Sequence, residues 1–140
     1  MRVMVIVKAT EESESGALPG KEIVAEMGQF NEELIKAGVL LSAEGLEASS
    51  KGARVRFGGG RSTVIDGPFT ETKELIGGYW LWQVKSIDEA VEWLRRSPLR
   101  KGNHEVEIRR VFEAQECSAH LTPELLLQEA SQRERLTAKN

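Results

Sequence analysis

Arg2-Val3-Met4-Val5-Ile6-Val7-Lys8 and Tyr79-Trp80-Leu81-Trp82-Gln83-Val84 are the stretches that decide the fold. Both are rich in β-branched and aromatic residues, the composition of strands. Both also carry apolar groups on two faces. In the first, Val3, Val5 and Val7 point one way while Met4 and Ile6 point the other; in the second, Tyr79 and Leu81 lie opposite Trp80, Trp82 and Val84. A strand of this kind belongs in the middle of a sheet that is covered on both sides.

The segments between and around these strands supply the rest of the plan. Glu11 to Gly20 reads as an acidic, small-residue loop, with Pro19 near a helix start. From Lys21 to Ala37 the apolar positions Ile23, Met27, Phe30 and Leu34, with Val24 and Ile35 beside them, recur at helical spacing, and Gly38 ends the helix. Val39 to Leu46 reads as a strand interrupted at Gly45, where a bulge or a close backbone approach is expected. Arg54–Phe57 and Ser62–Ile65 flank Gly58-Gly59-Gly60-Arg61, a hairpin signal. Those glycines lead into a strand rather than a helix, which favours a turn over a phosphate cradle. Thr70 to Leu75 has the composition of one helical turn. Ser86 with Glu89 forms a capping box for a second helix whose buried stripe is Ile87, Ala90, Val91, Trp93 and Leu94, and that helix stops by Pro98. Glu105–Phe112 is the last strand, and Thr122-Pro123 opens a C-terminal helix with Leu121, Leu125, Leu126 and Ala130 on one side.

The order β-α-β-β-β-α-β with a C-terminal helix predicts an α+β protein of ferredoxin-like plan, an open antiparallel or mixed sheet with two helices on one face. Two helices leave the other face of the two central strands bare. At ~25 cal/mol per Å² of apolar surface, exposing several Val, Met and Trp side chains forfeits several kcal/mol. The C-terminal helix can do part of the covering, but a second copy of the chain, packed face to face, is the commoner solution, so the protein is predicted to be a homodimer.

Composition excludes several classes. The 140 residues amount to about one domain, and 40% hydrophobic with 29% charged residues is too apolar for a disordered chain. A net charge of −3 without a basic stripe argues against direct binding of nucleic acid. No apolar stretch approaches the ~20 residues that span a bilayer, so no membrane role is expected. The start Met1 to Lys8 is short for a signal peptide, which makes the cytoplasm the expected compartment. Cys117 is the one cysteine, which rules out an internal disulfide and a cysteine-rich zinc site. His104 and His120 have neither the companions of a metal site nor those of a nucleophilic triad, and no metal or cofactor is implied.

Asp66-Gly67-Pro68-Phe69 is the most distinctive tetrapeptide. Only two of the 22 acidic residues are Asp, and Asp66 stands where a strand ends in a stiff turn. Two readings stay open. In one, Gly67 and Pro68 shape a structural turn with Phe69 plugged into the core. In the other, Asp66 is a general acid or base, or binds a polar ligand group. Glu44 is out of place in a mostly apolar strand; it is either an outward edge residue or an inward carboxylate paired with Lys73, Arg54 or Arg56, in which case Asp66 and Glu44 form a pair with split pKa values. A pocket lined by Asp66, Phe69, Glu44 and Tyr79 is predicted, with Lys73 available for an anionic substrate group. The alternating aromatic residues Tyr79, Trp80 and Trp82 read as core and dimer packing.

Asp66 to Glu74 followed by Gly77-Gly78-Tyr79 resembles the signature of the DGPF family within the YCII-related superfamily. The resemblance extends to Met1–Val7, Gly38-Val39-Leu40, Glu44-Gly45-Leu46, Ile87-Asp88-Glu89-Ala90 and Val106-Glu107-Ile108-Arg109, and residues 116–140 resemble the C-terminal extension of many members, following a 1–115 domain. The resemblance implies a dimeric α+β barrel. It also implies a small-molecule pocket near the sheet with a His–Asp pair, and lyase, isomerase or dehalogenase-like proton transfer, with one relative group including a muconolactone dehalogenase. Asp66 corresponds to the acidic member. The histidine is absent, since the first helix has Met27-Gly28-Gln29-Phe30-Asn31. Members resembling this chain are associated with extracytoplasmic-function sigma factors, which implies a regulatory or interaction module as the alternative function.

Overall fold

The computed structural model describes residues 1–114, 116 and 118–138. Cys117 lies outside the described residues. Two compact units divide the chain, Met1–Arg110 and Val111–Asn140.

In the first unit β1 (Arg2–Lys8), β2 (Leu40–Gly45), β5 (Ile76–Gln83) and β6 (Val106–Arg110) form an antiparallel sheet in the order β2-β5-β1-β6. This is the ferredoxin-like arrangement expected from the two-faced strands, with β1 and β5 in the centre. Val3 lies opposite Trp82 and Val5 opposite Trp80, and these four residues are buried. Helices α2 (Lys21–Lys36) and α3 (Ile87–Arg96) cover that face through Phe30, Leu34 and Ala90. Phe30 meets Trp80, Trp82 and Trp93 edge-on at centroid distances of 5.9, 6.3 and 6.3 Å, a geometry that aligns ring edges with ring faces. Met4, Ile6, Tyr79 and Leu81 occupy the opposite face and remain half-exposed.

Several details differ from the sequence reading. Among the described residues six strands form, the six segments read from the sequence, although the order β-α-β-β-β-α-β counts five. Of these, β3 (Ala53–Gly58) and β4 (Arg61–Asp66) pair with each other and not with the main sheet, as a hairpin inserted between β2 and β5. Gly59 and Gly60, at φ +57 and +75, make its two-residue turn, the twist that suits a tight hairpin. The expected loop from Glu11 contains a short helix, α1 (Glu11–Glu14), because Thr10 and Ser13 bond each other's backbone N–H groups. The register shift of β2 lies between Leu40 and Ser42, not at Gly45, where the backbones approach closely instead: a Cβ on Gly78 would stand 3.4 Å from the Gly45 Cα. Val24 and Ile35 are exposed on α2 rather than joining its buried stripe. Ser86 does cap α3, accepting from the Glu89 N–H at 3.1 Å, but the Glu89 carboxylate reaches the Lys85 N–H at 2.9 Å instead of closing a box on Ser86.

The second unit contains α4 (Pro123–Ala138), whose start is capped as the sequence indicates, with the Leu125 N–H donating to Thr122 Oγ1 at 3.2 Å. Leu126 is half-buried, whereas Leu125 and Ala130 are exposed. No helix among the described residues is long and apolar enough to cross a membrane.

Candidate functional site

Strand alternation builds a cavity on the helix-covered face of the sheet. Ala43 lies opposite Trp80 and Gly45 opposite Gly78 on β2 and β5, so all four belong to that face. Two of the four are glycines, and the floor there is bare backbone. A Cβ on Gly78 would come within 2.9 Å of the Glu44 carbonyl oxygen, which leaves glycine as the residue the packing admits. Val7 of β1, Met27 and Asn31 of α2, and Leu99 of the turn Pro98–Lys101 complete the walls around about 270 Å³. That volume is near the lower end of the ~300–1,000 Å³ typical of ligand clefts, and the walls are mostly apolar with few polar groups, as such clefts are.

Asn31 is the organised polar group. Its Oδ1 accepts from Trp80 Nε1 at 2.9 Å, across 49 residues of sequence. Composition and periodicity did not single it out. The signal available was its place four residues after Met27, where a polar residue continues a row of apolar ones on the same helix face.

Glu44 and Tyr79 also border this cavity, yet the register pairs them with each other on the alternate face. The alternation directs their side chains away from the helices. Glu44 is exposed on the edge strand, and no ion pair to Lys73, Arg54 or Arg56 exists among the described residues. The outward edge reading of Glu44 is the one the register supports.

The Asp66-Gly67-Pro68-Phe69 segment lies elsewhere. Asp66 ends β4 opposite Ala53, is exposed, and lines none of the three cavities near the sheet. The hairpin that carries it belongs to a separate sheet, and for that reason the predicted grouping of Asp66, Phe69, Glu44 and Tyr79 is not brought together. Gly67 sits against the chain: its N–H donates to the Gly52 carbonyl at 3.0 Å, and a Cβ there would overlap the Ser49 carbonyl oxygen. The Gly67–Pro68 peptide is cis. Phe69 donates its N–H to Ser49 Oγ at 3.0 Å. Ser49 in turn donates its hydroxyl to Glu14 Oε1 at 2.5 Å and its N–H to Glu14 Oε2 at 2.9 Å. The Arg54 guanidinium stacks over the Phe69 ring at 3.9 Å and pairs with Glu71 at 3.4 Å. The Glu71 backbone N–H, followed by Arg54, holds the Glu71 carboxyl below its ordinary value. Phe69 borders a surface groove of about 620 Å³ with Glu14, Ser49 and Arg54, while Lys73 borders another of about 730 Å³ with Lys8, Glu71 and Asn103.

The family model of the YCII-related domain matches residues 1–115. An uncharacterised protein of Rhizobium meliloti (strain 1021) is 31% identical over 75 residues, covering 54% of this chain and 60% of that relative's length. Among solved structures, 5-chloro-2-hydroxyhydroquinone dehydrochlorinase from Burkholderia phenoliruptrix AC1100, in complex with 2,5-dihydroxybenzoquinone, aligns with 17% identity and a TM-score of 0.45 over 82% of this chain and 97% of that one. Because the matched segment takes in the sheet, its two covering helices and the inserted hairpin, the chain belongs to the YCII-related domain family.

Proposed function

We propose that this chain is a small-molecule-binding protein whose ligand sits in the cavity between α2 and the floor of β2 and β5. The observation that carries this reading is the glycine-floored cavity itself, bordered by the hydrogen-bonded Asn31–Trp80 pair. Its walls from the helix face are Val7, Met27, Asn31, Ala43, Trp80 and Leu99, none of them titratable. Binding is therefore favoured over proton transfer inside it. The Asp66 segment is assigned a structural role, supported by the backbone contacts of Gly67 and Phe69. The active unit is proposed to be a homodimer, supported by the half-exposed apolar face of Met4, Ile6, Tyr79 and Leu81.

Trp80 makes binding directly observable. A library of one-ring compounds screened by tryptophan fluorescence and thermal shift is expected to give hits that Met27→Trp abolishes by filling the cavity, and Ala43→Leu serves as a second filling variant. Asp66→Asn is expected to leave the hits unchanged. Hits that survive both filling variants in folded protein, or that vanish with Asp66→Asn, would overturn the assignment.

A further inference from the structure

We infer that Asn31 sets the ligand class of this cavity, selecting a neutral ring compound that presents a carbonyl oxygen to the Asn31 amide. This rests on the reading that the cavity is the binding site. An indole N–H is a donor only, so the group facing Trp80 Nε1 at 2.9 Å must be the amide oxygen. That bond fixes which way the amide is turned. The amide nitrogen, Nδ2, is then the remaining polar atom of the side chain, and it has no hydrogen-bond partner among the described residues. Asn31 lines the cavity and is half-buried, so its two N–H donors are open to water or to an occupant of the cavity.

The rest of the lining decides the charge of the occupant. Among the described residues no Lys or Arg borders the cavity, and Glu44 is the one charged residue at its rim. A carboxylate would lose water and gain no cation, which is costly in an apolar site. An ammonium would find the Met27 sulfur, a weak acceptor, and the donor end of Asn31, since strand alternation places Glu44 on the other face of the sheet. A carbonyl oxygen satisfies the amide without bringing a charge. Trp80, Met27, Val7 and Leu99 supply the apolar surface for a ring, and a thioether beside an aromatic ring is a favourable contact.

Benzamide, benzoate and benzylamine test the inference as three probes of one shape. Benzamide is expected to bind most tightly. Asn31→Asp keeps an oxygen for Trp80 and removes the two donors, so benzamide should weaken about tenfold or more, while benzylamine improves. The Trp80 indole ¹H–¹⁵N resonance is expected to stay in place in this variant, showing that the pair persists. Asn31→Ser, which cannot span to both Trp80 and ligand, should weaken benzamide as well. If benzamide binding is lost on Met27→Trp but untouched by Asn31→Asp, the inference fails while the binding cavity stands. Tighter binding of benzoate, or no binding of any of the three probes while library hits remain sensitive to Met27→Trp, also defeats the ligand class alone. Failure of the library screen defeats the cavity itself.

Discussion

Ser49 shows how one hydroxyl joins three distant parts of the chain. It accepts from the Phe69 N–H, 20 residues away, and donates to Glu14, 35 residues away. Ser49→Ala leaves the Phe69 N–H without its acceptor and is expected to cost about 1–3 kcal/mol. A urea titration should show a lower midpoint with an unchanged slope. Glu71 gives a pH signature in the same neighbourhood. Its folded pKa lies below the ordinary 4.5, so its contribution is present above that value and is lost as pH falls through the lowered one. Carbon-detected NMR titration should place the Glu71 carboxyl below 4.5, with the shift reduced by Arg54→Gln and by added salt. Asp66-Gly67-Pro68-Phe69 was legible as a distinctive segment, but its surroundings were not. The partners that define it, Ser49 and Glu14, come from segments with no local signal toward it. Asn31 was hidden for the same reason, since Trp80 gives it meaning only after folding.

Periodicity carried most of the information about the elements. The alternation in Val3–Val7 and Tyr79–Val84 fixed which residues share a face, and the register places Val3 against Trp82 and Val5 against Trp80 accordingly. It could not locate the irregularity of β2, because a bulge is a property of two strands in register rather than of one residue. Nor did it show that the hairpin pairs with nothing else, since an alternating strand looks the same in either sheet. The capping of α3 was readable from Ser86 because a cap is local. Ser86→Ala is expected to destabilise the protein by about 1 kcal/mol, read as a lower thermal midpoint, with Glu89 still bonded to the Lys85 N–H.

On the scale of the whole molecule, the half-exposed apolar face opposite the helices is the surface proposed for the homodimer. Leu81 stands at its centre, across from Met4, with Ser42 on its other side. Light scattering after size exclusion is expected to return twice the chain mass for the natural sequence and the single-chain mass for Leu81→Lys, because an isologous contact would place the new charge twice in one interface. A single-chain mass for the natural sequence would reject the dimer. The inserted hairpin has a different consequence. Its neighbours β2 and β5 already meet at Gly45 and Gly78, and the Leu46 N–H bonds the Gly77 carbonyl at 2.9 Å, so the chain leaves the sheet and returns to it at one point. The excursion is thus a closed appendix, and lengthening a closed loop costs only about 0.6 kcal/mol per doubling. Its exposed tip at Gly59-Gly60 is a natural place to graft a peptide tag or reporter without disturbing the sheet that floors the proposed binding cavity.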